Sequence, residues 1–164
     1  MEENRLYKKY IYISKEPRVI IEDYCKEHRI NLVMRFINEY NLKKFLETEL
    51  RNLNGVDDLI LDLQAITNTT SEEEITSSIE LIRRMYNVRI IILAEGYKEG
   101  NVLLGRLFNL GIYNIVTAKN DVIFADEIER AFSVEGMTFG NAMKYKINDS
   151  MLVINKTTKV VKEN

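Results

Sequence analysis

The run Val88-Arg89-Ile90-Ile91-Ile92-Leu93 constrains this chain more than any other feature. Its β-branched residues favour extended backbone. Its hydrophobicity does not alternate, so a strand formed there must be buried on both faces. Such strands lie in the middle of parallel sheets, with helices covering each face. A parallel pair needs a crossover between its strands, so the rest of the chain must alternate strands with helices.

The rest of the sequence fits that demand. Residues 10–13, 31–36, 58–63 and 112–116 read as four further strands. After Pro17, the spacing of Ile21, Tyr24, Cys25 and His28 predicts one face of a helix. Residues 39–53 place Leu42, Phe45, Leu46, Glu49 and Leu53 on a 3.6-residue period. Ser71 and Glu74 form a capping box ahead of the stripe Ile75, Ile79, Ile82 and Tyr86. Leu103, Leu104, Leu107, Phe108 and Leu110 make another helix that stops at Gly111. Asp121 caps a last main helix through Phe124, Ile128, Ala131 and Phe132. Five βα units in about 135 residues predict an α/β, flavodoxin-like three-layer sandwich with a parallel sheet of order 2-1-3-4-5. The expected organisation is a (βα)5 domain over residues 1–133 and a C-terminal helical extension and tail over 134–164. Residues 138–146 are expected to form one short helix packed by Phe139, Ala142 and Met143.

Composition narrows the chemistry. The 164 residues carry 23 Lys plus Arg and 25 Asp plus Glu, a formal net charge of −2. One cysteine, Cys25, excludes an intrachain disulfide, and one histidine, His28, argues against a Ser-His-Asp triad or a His-rich metal site. Both are expected as core or boundary residues. No apolar run approaches the ~18 residues of a bilayer span. The start Met-Glu-Glu-Asn-Arg is too polar for a signal peptide, so a cytoplasmic location is expected. Neither a P-loop nor G-x-G-x-x-G is present; Gly96-Tyr97-Lys98-Glu99-Gly100 opens no phosphate-binding turn of either kind. No cofactor or metal is expected. Glu72, Glu73 and Glu74 suit a first helical turn. Asp57 and Asp58 are expected to be solvated ahead of the third strand. Lys156, Lys159 and Lys162 give a short basic end that reads as a solvated tail. A nucleic-acid partner is not expected, because DNA binding requires several phosphate neutralisations.

In an open parallel sheet, chemistry gathers at the carboxyl ends of the strands. Those ends here are Ser14-Lys15-Glu16-Pro17, Asp62-Leu63-Gln64, Ala94-Glu95-Gly96 and Thr117-Ala118-Lys119. Residues 8–133 resemble the receiver domain of two-component response regulators. Ile13-Ser14-Lys15-Glu16-Pro17 is similar to the family's Val-Asp-Asp-Glu-Pro. The run Asp57 to Asp62 resembles the segment that ends in the phospho-accepting aspartate, and Leu110-Gly111-Ile112-Tyr113-Asn114-Ile115 resembles the Gly-Ala-x-Asp-Tyr segment.

The resemblance implies the fold and also a degenerate site. Phosphoryl transfer to a carboxylate needs Mg²⁺ on near-octahedral oxygen ligands. The two metal-binding acids of receivers match Ser14 and Lys15. The strand-four hydroxyl position matches Ala94, the strand-five lysine Ala118, and the aromatic switch position Ile115. Lys119 falls one place off and is expected to point away. Only Asp62, at the acceptor position, matches the pattern. An ion pair between Lys15 and Asp62 is expected in place of the metal.

Receivers that cannot be phosphorylated persist as interaction or dimerisation modules, and the resemblance implies that role here, with no enzymatic activity. The partner would be another protein or a second copy. The expected surface is the fourth main helix, the fifth strand and the fifth main helix, with Arg106, Asn109, Tyr113, Glu127 and Arg130. The Leu110–Val116 segment and the extension from Thr138 resemble atypical receivers at the N-terminus of TadZ-type ParA/MinD-like ATPases. Two alternatives stand beside this: a response regulator phosphorylated at Asp62 despite its metal site, and a nucleic-acid or regulatory adaptor using the basic C-terminal segment.

Overall fold

The computed structural model describes residues 7–147. Five parallel strands, β1 (Lys9–Ser14), β2 (Asn31–Ile37), β3 (Asp58–Asp62), β4 (Arg89–Leu93) and β5 (Ile115–Val116), form one sheet in the order β2-β1-β3-β4-β5. The connecting helices are α1 (Val19–Glu27), α2 (Leu42–Thr48), α3 (Leu63–Ile66), α4 (Glu72–Met85), α5 (Val102–Asn109) and α6 (Asp121–Phe132), followed by α7 (Phe139–Ala142). The expected flavodoxin-like α/β architecture is therefore present.

Alternation along each strand divides the core in two. Ile11, Ile13, Leu59, Leu61, Ile90, Ile92 and Ile115 face α2 through α5, while Tyr10, Tyr12, Ile60, Ile91, Leu93 and Val116 face α1 and α6. In β4, Ile91 and Ile92 are fully buried on opposite faces, as the unbroken apolar run requires. Each contributes roughly 1.5–3 kcal/mol by leaving water.

Several boundaries differ from the sequence reading. The expected helix over 39–53 begins only at Leu42, because Asn41 Oδ1 accepts from the N–H groups of Lys43 and Lys44. It breaks at Glu49 into a 3₁₀ turn, Leu50–Leu53. Strand β3 stops at Asp62, which caps α3 through the Gln64 N–H. Asn120, not Asp121, caps α6. Ser71 does accept from the Glu74 N–H at the start of α4.

The fifth strand keeps only two of its five expected residues. Gly111 takes φ 85° and ends α5, and the Ile112 N–H donates to the Leu107 carbonyl, completing the helix C-cap. With that N–H committed to the helix, residue 112 cannot enter the sheet ladder.

Strand β2 carries a bulge. Tyr10 pairs with Leu32 and Ile11 with Met34, so Val33 has no opposite residue and is 40% exposed. At the other edge, residues 134–147 fold back onto the body. Met137 N–H donates to Asn114 Oδ1 at 2.7 Å, and Thr138 and Asn141 form a capping box for α7. The expected single helix is instead one turn of α-helix followed by a 3₁₀ turn, Met143–Tyr145. Its buried side is Ala142 and Tyr145, joined by Ile147, while Phe139 and Met143 are about half exposed. Ile147 is seated against Gly105 of α5, where a Cβ would fall 2.3 Å from it. Residues 148–164, with the lysines of the basic tail, lie outside the described residues. No helix among the described residues is long and apolar enough to cross a membrane.

Candidate functional site

The carboxyl ends of β1 and β3 bring Ser14 and Asp62 together. Both are buried, Asp62 with only 2% of its surface exposed. Asp62 Oδ2 accepts from the Ser14 hydroxyl at 3.1 Å and from the Lys15 N–H at 3.2 Å, and Oδ1 accepts from the Gln64 N–H at 3.0 Å. Two main-chain donors and one hydroxyl therefore surround the carboxylate, which satisfies a group that would be costly to bury alone.

Two tyrosines feel the electrostatics of this end of the sheet. The Tyr12 phenol lies beside Ser14 and accepts from the Arg18 N–H, and burial raises it above its ordinary range. Tyr97, from the loop after β4, is raised by burial first and then by Glu72; Thr67 opposes the shift, and Asp62 adds to it.

The expected Lys15–Asp62 ion pair does not form. Lys15 is exposed, and it is its backbone N–H that reaches the carboxylate. The Ser14 hydroxyl also lies 2.7 Å from the Glu16 carbonyl, so its single hydrogen is shared between that carbonyl and Asp62, and the Lys15 side chain is exposed at the sheet edge. Lys119 also makes no ion pair with Asp62. Its methylenes cross Gly96, where a Cβ would meet Lys119 Cε at 2.6 Å. Ala94 and Ile115 are buried core residues. The Ala118 position offers only a main-chain N–H, which donates, with that of Thr117, to Glu127 Oε1 at 3.1 Å. No cluster of three His, Cys, Asp or Glu side chains among the described residues could hold a metal ion.

The five candidate interface residues do not form one open patch. Arg106 pairs with Glu73 at 3.7 Å, and Glu127 turns inward to the end of β5. Tyr113 packs against Phe108 and Phe139, the latter brought in by the C-terminal segment. Asn109 and Arg130 remain exposed.

Sequence reasoning missed a second polar centre at the opposite end of the sheet. Asp58, expected to be solvated, is buried and pairs with Arg89 of β4, Nη2 to Oδ2 at 2.6 Å. Arg89 also donates to the carbonyls of Ser133 and Phe132, tying the end of α6 to the sheet. Burial alone would lower the Arg89 guanidinium; the Asp58 carboxylate reverses this and leaves it raised. The signal available in the sequence was the charge of Arg89 inside an otherwise apolar run, which demands a buried partner. Asp57 stays exposed, as expected, and accepts from the Lys9 N–H.

No protein-family model, curated protein or solved structure matches the chain.

Proposed function

We propose that this chain is a receiver-like domain that takes no phosphoryl group and acts by contact with another protein chain. The observation that carries the reading is Asp62, 2% exposed and bonded through both carboxylate oxygens. A phosphoryl acceptor needs a free oxygen lone pair, an open line of attack and a divalent cation alongside. Supporting the reading, Ser14 and two main-chain N–H groups occupy three of the roughly four acceptor sites of the buried carboxylate, and the metal positions hold a hydroxyl and an exposed lysine. The carboxylate instead locks β1 to β3 and caps α3.

Incubating the chain with acetyl phosphate and Mg²⁺ and reading its intact mass tests this. No phosphoryl gain is expected for the wild type. A gain that disappears in Asp62→Asn would overturn the reading in favour of a phosphorylated regulator.

The partner we infer is a second copy, meeting through α5, β5 and α6 with α7 laid over the β5 end. Phe139 on α7 and Met143 in the following 3₁₀ turn, each about half exposed, supply apolar contact there. Light scattering at high micromolar concentration should report a dimer that Phe139→Ser/Met143→Ser dissociates. A wild-type monomer at that concentration refutes the pairing. Under the same proposal, the chain serves as the localisation or dimerisation module of a TadZ-type ATPase. An open frame beyond the Asn164 codon encoding a phosphate loop would support it, and a stop codon would refute it.

A further inference from the structure

The carboxyl edge of β4 and β5 carries a notch of 410 Å³ that the Asp62 centre does not use. Its walls come from three separate segments. Tyr97, Lys98 and Glu99 belong to the loop after β4, Thr117 follows β5, and Lys144 with Tyr145 is brought in by the C-terminal 3₁₀ turn. Lys119 lies across Gly96, next to Tyr97 in the chain.

Two features set the chemistry of an occupant. The first is charge. Lys98 and Lys144 line the notch with one lining carboxylate, Glu99, while Glu72 and Asp62 act on the Tyr97 wall, and neither lysine forms an ion pair among the described residues. Glu127, the other acid near the end of β5, is already held by the Thr117 and Ala118 N–H groups. The second is hydrogen-bond polarity. Thr117 Oγ1 and Tyr145 Oη lie 2.7 Å apart. Each hydroxyl has one hydrogen, and their mutual bond uses only one of them. The other remains for an external acceptor, and Tyr145 is almost wholly buried, so its position is fixed. Two ammonium groups and a free hydroxyl hydrogen favour an acceptor-only anion. The tyrosine rings add apolar surface beside these polar groups.

We infer that this notch binds a small molecule through its phosphoryl group, with Lys98 and Lys144 neutralising the charge and the Thr117–Tyr145 hydroxyl pair donating to one oxygen. The ligand is either inorganic phosphate or a phosphomonoester whose organic part packs on Tyr97. Binding here is non-covalent and separate from the phosphoryl chemistry of Asp62, and the notch adjoins the Met143 end of the proposed pairing surface.

The test is a titration of ¹⁵N-labelled full-length protein, first with inorganic phosphate and then with phenyl phosphate. Saturable shifts confined to the amides around residues 97–99, 117 and 144–145 are expected. Tighter binding of phenyl phosphate identifies the ester as the ligand class, and equal binding identifies the free anion. Lys98→Glu/Lys144→Glu should weaken binding about tenfold or more, whereas Lys43→Glu/Lys44→Glu, the same charge change on exposed α2 residues, should leave it intact. Shifts that do not saturate, that spread over the lysine-bearing surface, or that both double variants weaken equally would overturn the inference.

Discussion

Replacing Arg89 with methionine leaves the Asp58 carboxylate, 2% exposed, without its cation. Three contacts to Asp58 disappear: Nη2 to Oδ2 at 2.6 Å, and Nε to both oxygens at 3.2 Å. The Ser133 carbonyl, 2.5 Å from Nη1, and the Phe132 carbonyl, 3.2 Å from Nη2, lose a donor as well. Removing one partner of a buried pair costs about 3–5 kcal/mol. Each orphaned carbonyl would add roughly 1 kcal/mol, but the Arg89 side chain is 22% exposed, so water can partly replace it. About 3–4 kcal/mol is expected, a large share of the roughly 5–15 kcal/mol that holds a domain together. Urea unfolding measures this as a lower midpoint at unchanged slope. The double variant Asp58→Leu/Arg89→Met removes both charges and should recover at least about 2 kcal/mol relative to the sum of the two single changes. A single-variant loss below about 1 kcal/mol, or strict additivity in the cycle, refutes the claim that this pair fastens α6 to the sheet.

Three further outcomes are expected. Gly105→Leu should destabilise the fold by about 1–3 kcal/mol through collision with Ile147, and Gly105→Leu/Ile147→Ala should recover part of the loss in the same urea assay. Asn114→Ala strips the buried Met137 N–H of its acceptor and should cost about 1–3 kcal/mol; hydrogen exchange at Met137 should accelerate. Burial first, then Glu22 and Asp58, pushes the Cys25 thiol from 9.0 up to about 12, so the folded state holds the neutral thiol where the unfolded chain ionises. The associated stability is complete below pH 9 and falls as the pH climbs towards 12; urea midpoints across alkaline pH should decline less steeply in Cys25→Ala than in the wild type.

The sheet was legible because parallel strands covered on both faces leave a strong local mark. Val88 to Leu93 alone indicates a central strand, and the helical stripes from Ile21 to Phe132 supply the crossovers. What escaped depends on partners distant in sequence. Asp58 reads as a solvated residue before a strand until Arg89, thirty-one positions later, is set beside it. The fifth strand reads as five residues because the sequence does not reveal that the C-cap of α5 claims the Ile112 N–H. In the C-terminal segment, Phe139 and Met143 share an apolar spacing with Ala142, yet the side facing the core is Ala142, Tyr145 and Ile147. At the candidate site, the residue types at the strand ends, Ser14, Lys15, Asp62, Ala94 and Ala118, could be read directly. The donors to Asp62 could not, because two of the three are main-chain N–H groups, which carry no signature of residue type.

The bulge at Val33 has a consequence for how this molecule can meet others. Open sheets invite growth, since an unpaired edge is a template for a further strand. The β2 edge is interrupted at Val33, and two residues on, Arg35 is held in an ion pair with Glu22. The β5 edge offers only two residues of ladder beside the segment anchored at Asn114. A guest strand therefore finds a broken template on one side and a very short one on the other. Among the described residues, a contact with another chain would rest on side chains of helices and loops rather than on an added strand.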